Sequence, residues 1–118
     1  MQELLDTEWK ATTVGTPPLQ DDELNSYLSK LGNGWQVASG QLEKEFKFPT
    51  FNQALEYTNK VGTFADEKDH HPDIHLAWGK AKVVISTHHI SGLAHMDFVW
   101  AANVEKIYQD EFAERMEK

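Results

Sequence analysis

The order of hydrophobic periodicities constrains this chain most, because helical spacing gives way to alternation, returns, gives way again and returns a last time. Leu24, Tyr27, Leu28 and Leu31 recur at i, i+3, i+4 and i+7, behind the acids Asp21, Asp22 and Glu23 and ahead of Gly32, which predicts an amphipathic helix. Trp35 to Val37 and Leu42 to Phe48 alternate around Ser39-Gly40, the pattern of a β-hairpin. Thr50 is placed to cap a helix over 50–68 with Phe51, Ala54, Leu55, Thr58, Val61, Gly62 and Ala65 along one stripe. A second hairpin is predicted from Ile74 to His88, with Ile74, Leu76 and Trp78 on one side and a turn at Gly79-Lys80. The last helix begins around His95 to Asp97, carries Phe98, Ala101, Ala102, Ile107, Tyr108 and Phe112, and has Lys/Arg in its final turns. Two hairpins joined by a helix merge into one four-stranded antiparallel sheet, and three amphipathic helices need a sheet face to cover. The expected fold is therefore a two-layer α+β domain, α-β-β-α-β-β-α, with the helices on one face.

The other sheet face must meet solvent, ligand or another subunit. Tyr57, Val61 and Phe64 add a second apolar edge to the helix over 50–68, which points either to an oligomer contact or to a deeply buried core helix. Residues 1–17 read as an N-terminal extension: Met1 to Trp9 could form a short helical turn but has thin apolar content, and Thr12 to Pro18 breaks any helix. Residues 18–118 form the single domain.

Composition removes several classes of function. The 19 acidic against 11 basic side chains give a formal charge of −8, which opposes binding to nucleic acid or to an anionic membrane surface. Without cysteine there is no disulfide framework, no thiolate nucleophile and no Cys-ligated zinc. Neither a signal or transit segment nor a membrane-length apolar run is present, so the expectation is a soluble cytoplasmic chain.

The chemistry concentrates at Asp66 to Pro72. Pro72 lacks an N–H and biases His71 away from helical geometry, so His70 and His71 sit at a corner where a helix has ended. Imidazole is the side chain that exchanges protons near neutrality, and His88, at the end of an apolar run, is within reach of the corner through a hairpin. Alternation along the strand places His88, with Val84 and Ser86, on the face opposite Val83 and Ile85. The plainer alternative is a polar turn that caps helix carbonyls.

The spacing Asp66-x3-His70-His71-Pro72-x5-Trp78-x9-His88-x8-Asp97 resembles the signature of the pterin-4a-carbinolamine dehydratases. The likeness extends to Gly34-Trp35, Phe46-Lys47-Phe48 and Ser91-Gly92-Leu93, and covers roughly residues 18 to 116. It implies the same α+β fold, homodimers or homotetramers, and a reaction: loss of water from 4a-hydroxytetrahydropterin to give quinonoid dihydropterin, in recycling of a tetrahydrobiopterin-type cofactor. Acid and base are needed for this; metal and organic cofactor are not. By the resemblance His70, His71 and His88 transfer protons and contact the pterin, while Asp69, Ser86, Thr87 and His89 contact substrate. Asp66 and Asp97 fill the acidic positions, either orienting a ring or serving as helix C-terminus and N-cap, with the cap favoured for Asp97. Pro72 shapes the corner. Trp78 is either a wall of the site or, as its parity with Ile74 and Leu76 favours, a core residue. His89 departs from the family, many of whose members have an acid there, and His75 and His95 lie outside the signature, as expected surface residues.

Two rival classes stand beside the enzyme. A metal-binding protein would use His70, His71, His75, His88 or His89, but Pro72 spoils the helical spacing of His71 and His75, and no HExxH is present. A non-enzymatic interaction module would keep the fold and bind another protein, as dimerisation cofactors of transcription factors in the family do.

Overall fold

The computed structural model describes residues 1–114. Its elements are α1 (Gln2–Leu5), α2 (Asp21–Leu31), β1 (Gln36–Ala38), β2 (Gln41–Lys47), α3 (Phe51–Lys68), β3 (Asp73–Ala77), β4 (Lys80–Ile85), a 3-10 turn over His88–Ile90, and α4 (His95–Glu111). The strands form one antiparallel sheet in the order β1-β2-β4-β3. The α+β reading from periodicity holds, and α1 is the short helical turn open to Met1 to Trp9.

Local chemistry explains the boundaries. The Gln20 N–H donates to Glu23 Oε1 at 3.0 Å, and Gly32 ends α2 at φ 58. Thr50 caps α3 as expected, its Oγ1 accepting from the Gln53 N–H at 3.1 Å. Ser39 and Gly40, at φ 52 and 74, make the two-residue turn between paired Ala38 and Gln41.

Register divides the sheet into two faces. Leu42 pairs with Ile85, Lys44 with Val83 and Phe46 with Ala81, and this row faces the helices. The opposite row carries Glu43 and Glu45 facing Lys82 and Lys80, at 3.6 and 3.9 Å. Under the inner row an aromatic cluster joins Phe46, Phe48, Tyr57, Tyr108 and Phe112, with Tyr57 ring centroids 5.0 to 5.8 Å from the other four. Each fully buried large apolar side chain contributes roughly 1.5–3 kcal/mol.

Three details differ from expectation, and for Tyr57 and Val61 one of two open alternatives holds. Trp78 is not a core residue but 74% exposed: Ala77 pairs with Lys80, so the turn is Trp78-Gly79, one residue earlier than predicted, and parity along β3 no longer governs Trp78. Gly79 sits at φ 71, a conformation that favours glycine, and a Cβ there would press on the Phe48 carbonyl at 3.1 Å. Of the apolar edge of α3, Tyr57 and Val61 are fully buried within one chain and are core, while Phe64 is half-buried on the core's margin; Phe51 and Leu55 are the exposed apolar residues of the helix. β4 ends at Ile85, so His88 stands on the 3-10 turn instead of on a strand face, and Val84 and Ser86 are buried despite their outward parity. No basic residue lies in the last turn of α4, which ends at Glu111; Arg115 and Lys118 lie outside the described residues.

Apolar residues of the first nine pack against this body. Leu4 is 1% exposed within the core, and Met1, Leu5 and Trp9 pack on its margin. Among the described residues no helix is long and apolar enough to cross a membrane.

Candidate active site

The corner forms because α3 ends in a left-handed residue. Asp69 sits at φ 49, ψ 44, and the His70 N–H reaches back to the Ala65 carbonyl at 3.1 Å. Helical geometry stops there, and Pro72 leads into β3. Opposite the corner, Thr87 and Gly92 close a short loop by an isolated bridge, and this loop presents His88 and His89.

Asp97 ties the two together. It is fully buried at the third position of α4, and its Oδ2 accepts from the Ala94 N–H at 2.8 Å and the Thr87 hydroxyl at 2.7 Å. Its Oδ1 accepts from His70 Nε2 at 2.6 Å. Capping and orienting, offered by the sequence as alternatives, are both done by this carboxylate. A carboxylate only accepts, so the proton of the His70 bond belongs to Nε2, and Nδ1 is the nitrogen left for proton exchange. The ring is also bracketed by the indoles of Trp9 and Trp100, at centroid distances of 6.1 and 6.4 Å.

His71 is exposed, and its Nε2 meets the exposed carboxylate of Asp66 at 2.9 Å. An exposed pair of this kind orients the ring and adds little stability. His70, His71 and His88 come together on a hollow of about 390 Å³, which Asp69, Pro72, Thr87 and His89 also line. A second hollow, of about 260 Å³, adjoins it through Asp69, His70, Thr87 and His89. Two predicted residues stay apart: Ser86 is buried outside the lining of both hollows, and Trp78 is at the far end of β3 from the corner. Sequence reasoning passed over Trp9, Thr12, Lys68 and Met96, which line the second hollow. An aromatic residue in a segment otherwise poor in apolar side chains was the available signal for Trp9.

His95, at the start of α4, stacks on Tyr27 at 4.9 Å; burial, and then the Lys30 charge, lower its pKa from 6.5. His75 is exposed on β3, as expected. Among the described residues no group of three or more His, Asp or Glu side chains is arranged to hold a metal ion.

An α+β sheet protein with a cleft of histidines, one of them fixed by a buried carboxylate, is the class that fold and site define. Residues 17–107 match the family model described as Pterin 4 alpha carbinolamine dehydratase. Two relatives, each named "Putative pterin-4-alpha-carbinolamine dehydratase", agree with it. One, from Alkaliphilus metalliredigens, is 46% identical over 90% of this chain and 96% of its own length. The other, from Rubrobacter xylanophilus, is 41% identical over 91% and 100%. A crystal structure from Brucella melitensis, described as a transcriptional coactivator/pterin dehydratase, superposes with a TM-score of 0.72 at 28% identity, over 76% of this chain and 97% of that one. The chain belongs to the pterin-4-alpha-carbinolamine dehydratase family, whose enzymes remove water from a pterin carbinolamine.

Proposed function

We propose that the chain dehydrates 4a-hydroxytetrahydropterin to quinonoid dihydropterin by acid–base catalysis from its histidines. The observation that carries this reading is the meeting of His70, His71 and His88 on one hollow, with His70 held by Asp97. Hydroxide leaves C4a poorly, so an imidazolium gives its proton to the departing oxygen, which leaves as water. A neutral imidazole takes the N5 proton while the N5=C4a bond forms. One proton is given and one received, so the pair of rings ends with the charge it began with. Asp66 and Asp97 hold His71 and His70 by their Nε2 atoms, and Asp69, Thr87 and His89 line the space for the pterin. No metal or organic cofactor takes part, and the setting is cytoplasmic recycling of a tetrahydropterin cofactor.

The test is a dehydratase assay on chemically generated carbinolamine, with the spontaneous reaction subtracted. His71→Ala and His88→Ala should each lower turnover about 10²-fold or more while remaining folded by circular dichroism. The wild-type rate should persist in EDTA and fall on either side of a neutral optimum, since an acid ring must be charged and a base ring neutral. Unchanged rates in both variants, beside an active wild type, would make the signature structural. Activity lost to EDTA and restored by one divalent metal would move the reading to a metal site.

The same reading includes a homodimer or homotetramer. Its support is the family resemblance together with Phe51 and Leu55, 44% and 36% exposed on α3. Light scattering at micromolar concentration should give two or four times the mass of one chain; a monodisperse monomer would sink it. The joint description of the Brucella protein motivates a second reading, a protein-interaction role beside catalysis. A pulldown comparing wild type with Phe51→Ser would address it, and equal capture would remove this face from consideration.

A further inference from the structure

The family model begins at residue 17, yet part of the cleft wall comes from before it. The smaller hollow has Trp9, Ala11 and Thr12 on one side and Asp69, His70 and His89 on the other. This strap is fastened along its length. Leu4 is buried in the core, and the Lys10 N–H reaches Met96 Sδ at 3.4 Å. The Thr12 carbonyl lies 3.0 Å from His89 Nε2, and the Leu19 N–H donates to the Leu93 carbonyl at 2.9 Å. Gly92 lets the chain pass: a Cβ there would stand 2.9 Å from Pro18 Cβ.

Two consequences follow for the cleft. A carbonyl only accepts, so Thr12 holds the His89 proton on Nε2. Trp9 is half-buried, with its indole tilted 41° to the His70 ring, so an apolar aromatic surface stands beside the imidazole that Asp97 orients. Flat heteroaromatic rings bind to such surfaces through stacking, whatever polar groups fix their edges.

We propose that residues 9–12 form a wall of the substrate cleft and that the Trp9 indole packs against the planar ring system of the bound pterin. The inference rests on the pterin reading above and adds to it a binding residue outside the matched domain. It also gives the N-terminal extension a role in substrate affinity.

The experiment uses the full chain with Trp9→Ala and Trp9→Phe. In the dehydratase assay Trp9→Ala should raise KM about tenfold, with the larger part of the loss in KM and not in kcat, and Trp9→Phe should recover most of it. In the wild type, a reduced pterin lacking the 4a-hydroxyl should slow hydrogen exchange at the amides of residues 8–13, a readout that needs no variant to fold. An unchanged KM in folded Trp9→Ala, or pterin binding that leaves those amides unprotected, would overturn the wall while wild-type turnover still stood. A wild type that neither turns over the carbinolamine nor binds the reduced pterin would instead overturn the reading beneath it.

Discussion

Replacing His70 with alanine is expected to lower dehydratase turnover about 10²-fold or more, the usual worth of a positioned acid or base. Of the histidines on the cleft it is the one held by a fully buried carboxylate, at 2.6 Å, so its loss removes both a proton carrier and the ring that fills the space between Trp9 and Trp100. Asp97→Asn separates these effects. The amide keeps the size of the carboxylate, and its oxygen can still accept from Ala94 and Thr87. Its NH2 then faces His70 Nε2, which must offer a lone pair, and the ring is driven to the tautomer with its proton on Nδ1. The expected result is a loss in kcat comparable to that of His70→Ala, with KM much less changed. If both variants are folded and turn over at the wild-type rate, His70 is not a proton carrier and Asp97 is a cap alone.

That carboxylate marks how far local sequence reasoning reaches. An acid three residues after Ala94 and just before an apolar run is legible as an N-terminal signal, because capping depends on neighbours along the chain. Its hold on His70, twenty-seven residues earlier, depends on how α4 packs beside the end of α3. Hairpins and helices were readable for the same reason as the cap, and their failures came where one residue shifts the frame. Moving the second turn from Gly79-Lys80 to Trp78-Gly79 turned an expected core indole into an exposed one. Ending β4 at Ile85 released His88 from the alternation used to place it, although it still arrived at the cleft. The apolar edge of α3 illustrates the remaining limit. Periodicity finds an apolar face, but only the packed chain shows that Tyr57 is met by Phe48, Tyr108 and Phe112 instead of by a second subunit. Leu4 and Trp9 were hidden likewise, since the core that buries Leu4 and the His70 ring beside Trp9 come from far along the sequence.

Glu105→Ala should be the most destabilising of these changes, at about 3–5 kcal/mol, the range for removing one partner of a buried ion pair. The carboxylate is 2% exposed on the inner side of α4, and it accepts from Lys44 Nζ at 2.6 Å, Trp35 Nε1 at 2.9 Å and Gln109 Nε2 at 3.1 Å. Lys44 occupies a helix-facing position of β2, between Leu42 and Phe46, where alternation calls for an apolar side chain. Glu105 is what makes a lysine tolerable there. Without it the ammonium keeps only its approaches to the Phe46 and Tyr108 rings, at 4.6 and 5.9 Å, and the buried indole N–H of Trp35 loses its acceptor. The reverse change should cost less, because the Lys44 side chain is 17% exposed and leaves behind a carboxylate with two remaining donors. The charge also reaches the phenols: burial first, and Glu105 after it, raise the pKa values of Tyr57 and Tyr108. In Glu105→Gln the Tyr108 hydroxyl should therefore titrate at lower pH than in the wild type. Urea unfolding of Glu105→Ala, Lys44→Met and the double variant measures the coupling directly, and a domain of this size has only about 5–15 kcal/mol to lose. The double variant should recover much of the stability lost in Glu105→Ala, since it removes the stranded ammonium as well. Equal losses in the two single variants that simply add in the double would show that Lys44 and Glu105 are independent despite their 2.6 Å separation.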